Sequence, residues 1–172
     1  MTIHAGHPFA DPDPDPVRRL RGRLGGAVTL WTAGEGSGRA GLTVSSLMVA
    51  GGEPGRVLAL LDPDSDLVDR LGETGRGVVQ LLAWEHRDLA EAFAGTAPAP
   101  GGPFRTGTFE QTAWGPRLTD ATSWAGVVLE SATTVGWSAL VTCTLEHVEL
   151  GDEGVPLGHR RGRYLRLGPD LL

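Results

Sequence analysis

The chain has 172 residues, of which 40% are hydrophobic and 21% charged, the size and composition of one globular domain that closes its core without staples. No apolar run is long enough to span a bilayer, the segment Met1–Pro16 lacks the basic start and apolar middle of a signal peptide, and the lone Cys143 cannot form an internal disulfide. A cytoplasmic address is therefore expected, with no membrane partner, and a formal net charge of -6 argues against nucleic acid as the main partner.

Met1–Pro16 reads as a disordered tail, because the Asp-Pro repeat from Asp11 to Pro16 blocks helix and sheet alike. Residues 17–168 then form the single expected domain. Val17, Leu20 and Leu24 recur at helical spacing, with Asp15 as N-cap, Pro16 as first helical residue and Gly25-Gly26 as the stop. From Ala27 the period changes. Strands are predicted over Ala27–Thr32, Gly41–Val49 and Arg56–Leu61, the first two joined by a turn at Gly34–Gly38 and the third buried on both faces. A short helix follows at Ser65–Leu71, then a strand at Gly77–Ala83 and an amphipathic helix at Trp84–Ala94. Thr96–Pro103 is a flexible excursion rich in Pro and Gly. Long alternating runs predict strands over Ala125–Thr134, Trp137–Leu150 and His159–Leu167. In these runs Val127, Leu129, Leu140, Leu145 and Val148 are candidates for core or interface. The expected fold is mainly β: an antiparallel Greek-key split barrel with a few short helices.

Every Lys-or-Arg position is arginine, clustered at Arg18, Arg19, Arg21 and Arg23 and again at Arg160, Arg161, Arg163 and Arg166. They read as solvated charge at the two ends of the domain; the alternative is a forked grip on an anionic ligand. Catalytic constellations are thin. Cys143 reads as a small buried hydrophobe, no metal-ligand spacing of Cys and His appears, and no nucleophile elbow, Walker loop or dinucleotide fingerprint is present. What stands out is Gly41-Leu42-Thr43-Val44-Ser45-Ser46, three hydroxyls in a strand expected to be buried, where each needs the backbone or a polar ligand as partner.

Taken in order, these segments resemble the flavin-reductase-like family. The Gly41–Ser46 run is similar to its flavin-cradling strand, and Arg56–Leu61 after Glu53-Pro54-Gly55 to its buried strand. Gly75–Leu82 is similar to its next strand motif, with Gln80 where asparagine is usual, and the helix ending Ala92-Phe93-Ala94-Gly95 to the one that follows. Gly115-Pro116-Arg117-Leu118 and Gly162-Arg163-Tyr164 complete the series. The resemblance implies a homodimer around FMN, with FAD as the less common alternative, and Thr43, Val44, Ser45, Ser46, Ser65, Gln80 and Phe93 as cofactor-binding positions. Ser65 with a neighbouring arginine would hold the phosphate, against the repulsion of Asp62, Asp64 and Asp66. Reductases of this family carry Gly-Asp-His where this chain reads Gly136-Trp137-Ser138, so Trp137 and Ser138 stand at the catalytic position without its acid or imidazole.

Three functions remain open on these residues. The first is an NAD(P)H-dependent flavin reductase supplying reduced flavin to a partner monooxygenase. The second is a split barrel that holds flavin, deazaflavin or haem without NAD(P)H turnover, with His147 or His159 as axial candidates for haem. The third is an interaction module working through Trp31, Trp84, Trp114, Trp124 and Trp137.

Overall fold

A computed structural model describes residues 15–168, so the expected tail falls outside the described residues up to position 14. The chain opens with α1 (Pro16–Leu24), where the Asp15 carboxylate accepts a hydrogen bond from the Val17 N–H at 3.0 Å, as the Asp-Pro start predicts. Twelve strands follow among these residues: β1 (Gly26–Ala27), β2 (Thr29–Ala33), β3 (Ala40–Val44), β4 (Leu47–Ala50), β5 (Arg56–Leu61), β6 (Arg76–Leu81), β7 (Phe109–Gln111), β8 (Pro116–Leu118), β9 (Trp124–Val135), β10 (Ser138–Glu149), β11 (Leu157–Arg160) and β12 (Arg163–Arg166). Helix α2 (Asp66–Thr74) lies between β5 and β6, and α3 (Arg87–Ala94) follows a single 3₁₀ turn at Trp84–His86.

The protein is mainly β and its sheets are antiparallel. The main sheet runs β3-β2-β6-β9-β10-β5-β4. Its two edge strands are consecutive in the chain, separated only by Ser45 and Ser46. Three Cα steps reach about 11 Å at most, so the sheet curls until its edges nearly meet. The result is a barrel split along one seam, and Ser45-Ser46 bridges the seam.

Two bulges in the β9–β10 ladder sharpen the curl. Each extra residue is a glutamate with a partner. Glu130 pairs with Arg56 at 2.7 Å across β10, and Glu146 accepts from the Trp114 indole N–H at 2.6 Å. The barrel interior holds Trp31, Val57, Leu61, Leu67, Leu71, Val127, Val141 and Cys143. A second cluster of Leu30, Leu82, Leu89, Phe93, Leu118 and Leu157 lies under α3. Strand β2 is fully buried because it separates the two.

Three predicted strands are corrected. Gly41–Val49 is not continuous, because β3 bonds to β2 while β4 bonds to β5 at the other end of the sheet. His159–Leu167 is a hairpin: Arg161 and Gly162 both take positive φ, 53° and 76°, the requirement of a tight type I′ turn. Ala27–Thr32 is likewise divided, with β1 joining β11 in a separate three-stranded sheet.

Candidate functional site

Strand β5 alternates. Val57, Ala59 and Leu61 turn into the barrel and are at most 2% exposed, so Leu58 and Leu60 turn outward. Strand β10 repeats the pattern, with Ala139, Val141 and Cys143 inward and Leu140 outward. In register, Leu60 faces Leu140 and Met48 faces Leu58, and directly opposed residues project from the same side of an antiparallel pair. Met48, Leu58, Leu60 and Leu140 thus make an apolar floor on the outer face of the sheet beside the seam.

Helix α1 and the β11–β12 turn stand against this floor. They are tied to each other by the Arg161 N–H to the Gly22 carbonyl at 2.9 Å and by the Arg160 Nε to the Arg23 carbonyl at 3.0 Å. The cleft they enclose has a volume of about 720 Å³. Its polar lining is Thr43, Ser45, Ser46, Asp62, His159, Arg18 and Arg21. The two arginines lie three residues apart, on a helical stripe that continues through Gly22 and Gly25. An apolar floor with a few converging polar groups is the arrangement that binds a small aromatic ligand.

Thr43, Val44, Ser45 and Ser46 all line this cleft. The two serines are its exposed hydroxyl element. Ser46 Oγ donates to the Leu60 carbonyl at 2.6 Å, while the Ser45 hydroxyl forms no side-chain hydrogen bond among the described residues. Val44 is a core residue at the seam, and Thr43 Oγ1 donates to the Ala90 carbonyl of α3 at 2.5 Å. Ser65, Gln80 and Phe93 are elsewhere. The Ser65 hydroxyl caps α2, accepting from the Val68 N–H and donating to the Asp62 carbonyl at 2.7 Å. Gln80 is fully buried, its Oε1 accepting from the Leu118 N–H and its Nε2 donating to Thr32 Oγ1 at 3.3 Å. Phe93 packs edge-on against Phe104 and Phe109 in the second cluster.

Trp137 occupies the tip of the β9–β10 hairpin and is 94% exposed. Gly136 before it takes φ 57°, as the first central residue of a two-residue hairpin turn requires. Ser138 starts β10 one position before Ala139, which faces Leu61; neither it nor Trp137 is among the residues that line the cleft. Of the two histidines considered as axial ligands, His159 lines the cleft. His147 is stacked between Trp114 and Trp124, with ring centroids 5.2 and 4.7 Å away.

Sequence reading missed the floor and the roof. Leu58 and Leu60 were hidden because β5 is apolar on both faces, and alternation of burial is invisible in an unbroken apolar run. The Arg18–Arg21 cluster carried the signal for the roof but reads equally as solvated charge.

Cys143 is fully buried, and burial together with the nearby Glu130 charge pushes its thiol up to about 12. Its thiolate is therefore negligible at neutral pH. The folded protein is expected to resist iodoacetamide at pH 8 and to take up one equivalent once denatured; rapid labelling of the native protein would contradict this burial. The sign for stability follows. The unfolded thiol ionises above about 8.5 while the folded one stays protonated, so this contribution is complete below that pH and is lost toward 12, by about 1.4 kcal/mol per pH unit. Denaturant midpoints of wild type and Cys143→Ala should therefore diverge less as pH rises from 8 to 10.

The family model "Flavin reductase like domain" matches residues 21–168. The chain belongs to the flavin-reductase-like family. Among solved structures, the flavin reductase PheA2 superposes with a TM-score of 0.80 at 20% identity, covering 91% of this chain and 99% of that one. The NADH:FAD oxidoreductase SgcE6 of Streptomyces globisporus C-1027 gives 0.80 at 21% identity, covering 95% and 100%. BorF, the flavin reductase component of a bacterial two-component tryptophan halogenase, gives 0.78 at 22%, covering 90% and 98%. No curated protein sequence matches the chain. No helix among the described residues is long and apolar enough to cross a membrane.

Proposed function

We propose that the protein is an NAD(P)H-dependent flavin reductase, a cytoplasmic homodimer of one domain over residues 17–168, which hands reduced flavin to a separate monooxygenase-type enzyme. The observation that carries this is the outward-facing floor of Met48, Leu58, Leu60 and Leu140 beneath a hydroxyl corner and two arginines. A flat aromatic ring system on a phosphorylated tail matches that order of chemistry: area for the ring, hydroxyls for its polar edge, guanidinium for the phosphate. The relatives support the rest. SgcE6 is an NADH:FAD oxidoreductase, and BorF serves a two-component halogenase.

A bound flavin, FMN or FAD, supplies the hydride chemistry, and the protein contributes position and electrostatics. The leucine floor excludes water from one face of the ring. Ser45 and Ser46 orient its polar edge from the seam. Ser138, at the start of β10, offers the nicotinamide a hydrogen bond where the resemblance places an imidazole, and exposed Trp137 offers a stacking surface. Exposed Val17, Leu20, Leu24, Met48, Val49, Val135 and Trp137 supply apolar surface for a second copy of the chain.

The Trp137-Ser138 replacement favours a second reading, a flavin- or deazaflavin-binding barrel without nicotinamide turnover. Anaerobic titration separates them. Bleaching of bound flavin absorbance by NADH or NADPH is the expected result. Bleaching by dithionite alone would establish the binding protein, and a purified protein with a haem spectrum would move the cofactor to His159.

A further inference from the structure

Eight of the chain's 15 arginines stand on α1 and the β11–β12 hairpin, and neither segment, 16–24 or 157–168, contains a carboxylate. The rest of the chain sets seven arginines against 21 carboxylates, so the charge of the molecule is sharply divided. The two elements form one surface. The Arg161 N–H bonds the Gly22 carbonyl, the Arg160 guanidinium bonds the Arg23 carbonyl, and a Cβ at Gly25 would meet the Arg160 side chain at 3.1 Å. Arg160 is thereby committed to the end of α1, and Arg166 lies over the Trp84 ring. Arg19, Arg23, Arg161 and Arg163 are different: they are exposed, do not line the cleft, and make no ion pair among the described residues.

Like charges gathered in this way repel, as Arg19 and Arg23 do one helical turn apart, and no acid on either element offsets them. An anionic surface brought from outside relieves that repulsion. The face adjoins the mouth of the cleft, because Gly22, His159 and Gly162 belong to the same elements and line it. Its size selects the partner. Helix α1 is only about 14 Å long, and a nucleic-acid duplex or an anionic bilayer runs on past it. Such a partner meets the carboxylates that follow β5, Asp62 at the cleft with exposed Asp64 and Asp66 after it, where like charge repels. A folded protein confines its carboxylates to the area of the patch. Resting on the reading of the cleft as the source of reduced flavin, we infer that this arginine face docks an acidic surface of the enzyme that receives the flavin. The docked enzyme stands beside the cleft mouth.

The test uses labelled poly-L-glutamate as the acidic probe, with a DNA duplex and phosphatidylglycerol vesicles as the competing classes, at low and at high salt. Wild type is compared with the double variant Arg19→Glu/Arg163→Glu. The control is Arg76→Glu/Arg105→Glu, which changes net charge equally at exposed arginines elsewhere. Wild type is expected to bind polyglutamate in a salt-sensitive way. The first variant weakens that binding about tenfold or more, and the control stays within about twofold of wild type. Flavin affinity and NADH turnover with free flavin hold in both variants, which shows that both are folded. Three results overturn the inference: wild type that ignores polyglutamate, equal loss in the two variants, or tighter binding of DNA or vesicles than of polyglutamate. The last would give the face to that other class. A wild type that neither binds nor reduces flavin, yet discriminates among the probes as expected, defeats the flavin reading and leaves an acidic docking face. Flavin turnover with indifference to polyglutamate defeats this inference alone.

Discussion

Replacing Gln80 by Leu is expected to lower the melting temperature by about 5–12 °C while leaving flavin affinity within about twofold. The resemblance makes this side chain a cofactor contact, but its position makes it a strut. It is fully buried on β6, and its amide bonds the Leu118 N–H on β8 and the Thr32 hydroxyl on β2. Thr32 in turn donates to the Pro116 carbonyl, so one network joins three strands. Leucine fills the volume but leaves the Leu118 N–H buried and unpaired, and loss of the network costs about 2–4 kcal/mol. Thermal melts and flavin titration on the same preparation distinguish the roles. Weaker flavin binding at an unchanged melting temperature would return Gln80 to the cofactor.

The converse is expected at Leu60. Leu60→Asp should cut flavin affinity about a hundredfold or more while shifting the melting temperature by no more than about 2 °C. Leu60 is 40% exposed, so aspartate there stays solvated in the free protein and leaves no cavity. Under a flavin ring the same carboxylate would be stripped of water on the floor shared with Leu58, Leu140 and Met48, and Asp62 adds like charge nearby. Affinity within threefold of wild type would remove the floor from the binding site. The pair makes a double dissociation: one residue carries stability without binding, the other binding without stability.

These two residues show where reading the chain stops. Gln80 sits in an apolar strand, and a polar residue there announces only that a partner exists. Whether the partner is a ligand or the backbone of β8, thirty-eight residues on, is decided by packing. Leu60 belongs to an unbroken apolar run, which reads as burial on both faces, whereas in the structure only the inner face is buried and the outer one opens on the cleft. The Ser45-Ser46 break has the same character, because a strand that changes partners from β2 to β5 leaves no local mark beyond its hydroxyls.

What the amino-acid order determined by itself was local and periodic. The Asp15-Pro16 start of α1, the Ser65 cap and αL glycine of α2, and the long alternation of β9 and β10 follow from propensities acting within a few residues. With the order of motifs, that was enough for the fold and the family. Only the tertiary structure decided the cleft. Its wall at residues 18–25, its floor at 47–48, 58–61 and 140, and its rim at 159 and 162 are far apart in the chain. They meet because the sheet curls and buries its interior, a long-range balance of packing that no single segment encodes.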